Sequence, residues 1–254
     1  MRVVTPILAA LSFMTRIAPA RVYEDAVFAR TIKYFPLVGI VIGVLVTSPF
    51  YFGFLRGHPW LQAWILLGLG LWITRGLHWD GWADVFDAWG SGAQGDRFWE
   101  VMKDSRLGAF GGMALFMGLA GQLLLLHNAL ESRAYAAIVW AFVLGRGTCA
   151  ATAYMGRGLE RPGGLGRTFL SGATPLVLAL VVAQVVGLGF MTRPVELLAP
   201  ALIVAFLGVI ELSSLSHKMG GMNGDFLGAA VIWGELAGLM GYTAVSGIPH
   251  LVGG

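Results

Sequence analysis

"WLQAWILLGLGLWITRGLHWDGWADVFDAWG", residues 60–90, changes character halfway along. Its first half is almost wholly apolar, whereas its second half carries Asp80, Asp84 and Asp87 among aromatic side chains. The apolar half is not unique. Comparable runs lie at 35–55, 59–76, 109–130, 134–155, 173–191, 196–216 and 226–246. Each approaches the roughly 20 residues that a helix needs to cross a bilayer. The 254-residue chain is 57% hydrophobic and 12% charged, with a mean hydropathy of +0.74. Soluble domains carry about 25% charge. The reading is therefore all-α: a polytopic membrane bundle of about seven transmembrane helices forming one domain over 1–254. No segment is polar enough for a separate soluble domain, and no repeat or low-complexity tract stands out.

The start, "MRVVTPILAALSFMTRIAPA", imitates a secretory signal through Ala18-Pro19-Ala20. Pro19 is awkward beside a cut and Arg16 interrupts the approach to it, so a short interfacial helix is the expectation. The single Cys149 excludes an intramolecular disulfide.

Basic residues orient the bundle. One side collects thirteen: Arg2, Arg16, Arg21, Arg30 and Lys33, then Arg75, Arg97, Lys103 and Arg106, then Arg157, Arg161 and Arg167, and finally Lys218. The other side has three, Arg56, Arg133 and Arg193. The N-terminus and the loops 77–108, 156–172 and 217–225 are thus expected to be cytoplasmic. All the polar motifs fall on that face.

Asp80, Asp84 and Asp87 follow an i, i+4, i+7 spacing. On a helix they turn by about 40° and −20° from the first, so they share one face, with its ends about 10 Å apart. Like charges on one stripe repel. A solvated acidic helix end is the alternative, but solvated faces usually mix signs. Magnesium, a hard cation held by carboxylates together with a substrate's phosphate oxygens, fits this pattern. "DSRLGAFGG" (104–112) adds Asp104, a bidentate phosphate partner in Arg106, and glycines that let backbone approach a ligand. "HKMGGMNGDFLGAA" (217–230) places Gly220, Gly221 and Gly224 before Asp225, which reads equally as a ligand or as a helix-start acid. "GRGLERPGGLGRTF" (156–169) reads better as a topogenic loop than as a phosphate cradle. His78 is equally a substrate contact or a structural interfacial histidine. Arg146 and Glu235 lie deeper, each about 15 Å in from the same edge, and are expected to pair, with Glu211 as the alternative partner and a substrate phosphate as the alternative target of Arg146. The combination suits metal-assisted chemistry at a phosphate or diphosphate. No Walker motif, Ser-His-Asp set or HExxH is present.

The motifs "LSFMTRIAP" (11–19), "KYFPLVGIVIG" (33–43), "LHWDGWAD" with Asp87, "DSRLGAFGG" (104–112), "GRG" (145–147), "GLG" (164–166) and "GGMNGDFLGAA" (220–230) together resemble the cobalamin synthase family, the adenosylcobinamide-GDP ribazoletransferases. The resemblance covers nearly the whole chain. It implies transfer of the adenosylcobinamide phosphate group from adenosylcobinamide-GDP to α-ribazole or its 5′-phosphate, with release of GMP. That completes the nucleotide loop of the coenzyme. It also implies magnesium as cofactor and a multi-pass protein of the bacterial inner membrane whose active site faces the cytoplasm. The partners it implies are the two substrates and membrane lipid, with other nucleotide-loop enzymes and a second copy of the chain as further candidates, and no nucleic acid. Carried onto these motifs, the catalytic set is Asp80, Asp84, Asp87 and Asp225, and the metal ligands are Asp80, Asp84, Asp87 and Asp104. Substrate phosphate falls to His78, Arg106, Arg146, Lys218 and Asn223, with Gly108, Gly221 and Gly224. The sequence departs from the usual family pattern at Asn223 (Thr), Ile232 (Glu) and Ala88 (Gly). A CDP-alcohol phosphotransferase is the nearest alternative, but Asp84 follows Ala83 where that family's motif has Arg. A cation transporter would gather its acids near the midplane, whereas these lie in loops and at span ends.

Overall fold

The computed structural model describes residues 4–19, 21–162, 164–192 and 194–247. Arg2, Ala20 and Arg193, used above, lie outside them. Among the described residues there are twelve α-helices and no strand, only an isolated bridge between Glu160 and Met222.

The expected spans appear as α3 (Phe35–Tyr51), α4 (Pro59–Thr74), α7 (Ala109–Glu131), α8 (Tyr135–Met155), α10 (Pro175–Gly189), α11 (Leu198–Lys218) and α12 (Gly224–Ser246). Counting the 3-10 turns that lead into α3 and α11, five of them are long and apolar enough to cross a membrane. A sixth crossing is possible only as a bent pair, α9 (Gly166–Gly172) and α10, which meet at 90°. The bend sits before Pro175. Proline disfavours helix at the residue preceding it, and Thr174 accepts a hydrogen bond from the Val177 N–H instead. The count of seven is therefore approximate. α4, with 16 residues, spans about 24 Å at 1.5 Å per residue, short of the roughly 30 Å hydrocarbon core. α3 ends before residue 55, just past Pro49, in a turn with positive φ at Gly53, Leu55 and Gly57.

α8 and α12 pack on each other and form the centre. Within their apolar windows 83% is buried, against 22% for α7 at the periphery. Indole N–H groups tie the layers by reaching carbonyls on adjacent helices: Trp140 to Val185 at 2.8 Å and Trp233 to Val204 at 2.8 Å.

α4 stops where Arg75 and Gly76 both take left-handed backbone, at φ 59° and 67°. Gly76 does so freely. Arg75 bears a cost of about 1 kcal/mol, offset by its guanidinium donating to the Phe13 carbonyl at 2.7 Å. This break launches α5 (Leu77–Gly90), the aspartate helix, in a new direction. It also fixes α1 (Val4–Met14) beside it, since the Arg16 N–H donates to the Ile73 carbonyl at 2.9 Å. The remaining short helices are α2 (Asp25–Ala29), against which α9 packs, and α6 (Asp96–Met102). The loops after α8 and α11 are stitched by the Met222 N–H to Leu159 and the Arg161 N–H to Met222, at 2.7 and 3.2 Å. All four segments expected on one face thus meet at one end of the bundle.

Candidate active site

α5 lies across that end between α7 and α12. A Cβ on Gly81 would come within 2.7 Å of the Asp225 carbonyl oxygen. Glycine there lets the two helices touch and brings Asp225, at the start of α12, beside the α5 carboxylates. The consequence is electrostatic. Burial, then Asp225, Asp80 and Asp87 in turn, push the Asp84 carboxyl up to about 7. Asp80 and Asp84 take no part in the three ion pairs among the described residues. Like charge has gathered here, and among the described residues no cation forms an ion pair with it, although Arg75 and Arg106 line the cavity beside Asp80 and Asp84.

Asp87 has a different task. Its carboxylate accepts from the Gly108 N–H at 2.6 Å and the Gly111 N–H at 2.8 Å. It therefore caps the N-terminus of α7 from outside that helix, where free N–H groups and the dipole favour an anion. A Cβ at Gly108 or Gly111 would collide with that carboxylate. Gly108 and Gly111 of "DSRLGAFGG" make room for Asp87, which the sequence pattern leaves hidden behind a ligand-cradle reading. Asp104 is likewise engaged: it receives the Arg106 guanidinium at 2.7 Å and the Arg106 N–H at 3.0 Å. Those bonds hold its carboxyl down at about 2. It positions Arg106 and does not join the α5 stripe.

Two cavities flank the start of α5. The larger, about 640 Å³, is lined by Arg75, Arg106, Asp80 and Asp84, with Trp79 and Leu107. The smaller, about 200 Å³, is lined by Asp80, Asp225 and His78, with Phe13, Phe35 and Phe169. Asp80, Leu77 and Phe13 belong to both. Asn223 caps α12 and donates to the Asp225 Oδ2 at 2.6 Å, which restrains that carboxylate at the cavity wall. Gly224 lines the smaller cavity, while Gly221 leaves room for Arg161, whose guanidinium stacks 4.5 Å from the Trp99 ring centroid.

Other expected contacts fall elsewhere. Arg146 lines neither cavity; it is fully buried and paired with Glu235, as their equal depth suggested. Gln122 of α7 donates to the other Glu235 oxygen at 3.1 Å. An amide inside an apolar span is itself a sequence signal for such a contact. His78 is buried, and burial together with the Arg146 charge holds it well below its usual value, so it is neutral and unsuited to pairing with phosphate. Lys218 lines a separate groove with Trp82, Phe86 and Glu211, on the α5 face opposite the carboxylates.

Among the described residues, no three His, Cys, Asp or Glu side chains stand close enough to hold a metal by themselves. Magnesium does not require that. It commonly takes one or two carboxylates and completes its shell with water and substrate phosphate, and the unmatched Asp80 and Asp84 fit such a role.

A helical bundle with apolar spans, a one-signed acidic cluster and two arginines around adjoining cavities defines an integral membrane enzyme. Over residues 6–243 the chain matches the family described as cobalamin-5-phosphate synthase, and it belongs to that family. Relatives named adenosylcobinamide-GDP ribazoletransferase include one from Nitratidesulfovibrio vulgaris (strain DSM 19637 / Miyazaki F), 46% identical over 90% of this chain and 91% of the relative. Those from Klebsiella pneumoniae (strain 342) and Escherichia coli O7:K1 (strain IAI39 / ExPEC) are 34% and 35% identical, each over 91% of this chain and 96% of the relative. No solved structure matches the chain significantly.

Proposed function

We propose that this protein transfers the adenosylcobinamide phosphate group from adenosylcobinamide-GDP to α-ribazole or its 5′-phosphate and releases GMP, completing the nucleotide loop of a cobalamin. The observation that carries the reading is the unmatched acidic cluster shared by two cavities. A two-substrate phosphoryl transfer needs both a place for each substrate and a means of gathering charge between them.

The donor diphosphate lies in the larger cavity, where Arg75 and Arg106 supply bidentate cationic partners. Arg75 is already steadied by the Phe13 carbonyl and Arg106 by Asp104, so neither must be ordered afresh on binding. Asp80 and Asp84 would hold magnesium, which would supply charge neutralisation on the diphosphate. Asp225, with one oxygen restrained by Asn223, takes the proton from the acceptor hydroxyl with the other. The hydroxyl oxygen bonds to the phosphorus that bears cobinamide, the bridging P–O bond breaks, and GMP leaves. Asp87 keeps α7 and the Arg106 loop registered against α5.

The protein works in the bacterial inner membrane with this end of the bundle in the cytoplasm, a reading supported by the basic-residue asymmetry. The test is direct. Purified protein in detergent, given adenosylcobinamide-GDP, α-ribazole and magnesium, is expected to yield GMP and a cobalamin in equal amounts. GMP without cobalamin, or neither, contradicts the proposal.

A further inference from the structure

The two cavities that meet at Asp80 differ in size and in kind. The larger opens among arginines and carboxylates. The smaller holds about 200 Å³ and mixes two kinds of lining, the phenyl rings of Phe13, Phe35 and Phe169 and the carboxylates of Asp80 and Asp225. We infer that the smaller cavity is the acceptor subsite, shaped for a bicyclic aromatic nucleoside, and that Leu165 and Phe169 set its specificity. This rests on the transferase reading above.

Four observations lead there. A corrinoid or a guanosine diphosphate with its counter-charges does not fit a pocket of this volume without a lining Lys or Arg, whereas a benzimidazole ring does. Three of the apolar lining residues are phenyl rings. Phe169 stands 5.0 Å from Phe13 and 5.4 Å from Phe35, centroid to centroid, the latter edge-on; such a wall accepts an aromatic base by stacking or edge contact. Asp225 and Asp80 line the same pocket and offer acceptors for a ribose hydroxyl, and Asp80 is shared with the donor cavity. Finally, the wall is a fixed part of the fold: Gly166, next to Leu165, packs on the start of α12 so closely that a Cβ there would come within 2.6 Å of the Gly224 nitrogen. The basic loop 156–169 therefore contributes its last residues to an aromatic pocket, a role distinct from topology or phosphate binding.

The test is steady-state kinetics on Leu165→Trp, which adds bulk at a partly exposed wall position and leaves the carboxylates untouched. Filling the pocket should raise KM for α-ribazole about 10-fold or more, in the range that pocket misfit produces, with KM for adenosylcobinamide-GDP unchanged. A shift in the donor KM instead, or no shift in either, overturns the assignment. A second measurement uses the wild-type protein, so it stands even where the variant fails to fold. An azido-benzimidazole riboside is photo-crosslinked and mapped by mass spectrometry. Adducts within 165–169 or 224–228 are expected; adducts confined to 105–115, on the larger cavity, overturn it. Wild-type protein that makes no cobalamin at all would instead remove the transferase reading on which the subsite rests.

Discussion

α12 carries two acids ten residues apart, about 15 Å along the helix, and their surroundings are opposite. Glu235 is buried and answered: Arg146 meets one oxygen and Gln122 the other. Asp225 faces a cavity among acids of its own sign. The deep cluster is balanced in charge within the protein and joins α7, α8 and α12, although Arg146 Nε and Nη2 and Gln122 Oε1 are buried without a hydrogen-bond partner. Among the described residues the shallow cluster has no ion-pair partner. Charge inside a membrane protein thus does two jobs here, and the presence or absence of a built-in counter-charge separates them.

Breaking the closed cluster has the largest expected effect. Arg146→Met or Glu235→Gln alone leaves one buried group without its partner, which costs about 3–5 kcal/mol. Thermal melts and folded yield should fall sharply for either single variant and less for the double. A double variant worse than both singles would show that the pair does more than neutralise itself.

The open cluster should respond in activity and not in folding. Asp80→Asn and Asp84→Asn are each expected to lower kcat by about 10²-fold or more, as when a group that stabilises transition-state charge is lost, with melting temperatures unchanged or raised. Near-normal turnover would merge the two clusters into one structural class.

Asp87 sharpens the contrast, because it sits on the same stripe yet is answered by backbone N–H groups. Asp87→Asn should destabilise the fold by about 1 kcal/mol, the scale of a lost helix-end charge, and impair activity less than changes at Asp80 or Asp84. An Asp87 variant as inactive as Asp84→Asn, with unchanged stability, would return it to the reacting group.

The smallest effect is a slope. Asp84 is raised to about 7 from an ordinary 3.8, so between those values the folded state holds more protons than the unfolded. Stability without ligand should then fall as pH rises through that window. Asp84→Asn should flatten the decline; an unchanged slope assigns it to other groups.

Much of this was legible in the chain. Apolar runs gave the helices to within a few residues, and equal depth paired Arg146 with Glu235. The aspartate spacing put three acids on one face, but spacing says nothing about what faces them, so the cap that Asp87 provides to α7 stayed hidden. Asp104 and Arg106 read as two separate ligands because a two-residue loop contact leaves no periodic trace. Lys218 followed Asp225 into the expected site by sequence proximity alone, whereas the loop turn between α11 and α12 sends it to the far face of α5. The phenyl wall was invisible for the same reason: Phe13, Phe35 and Phe169 are far apart in sequence and meet only through packing.

The central claim is that the shallow cluster awaits a cation. Thermal melts with magnesium and GDP, at a pH above 7 where Asp84 is ionised, test it most directly. Wild-type protein should gain stability with increasing ligand, as binding to the folded state requires, and an Asp80→Asn, Asp84→Asn double variant should gain none. An equal rise in both proteins, or no rise in the wild type, would contradict the account.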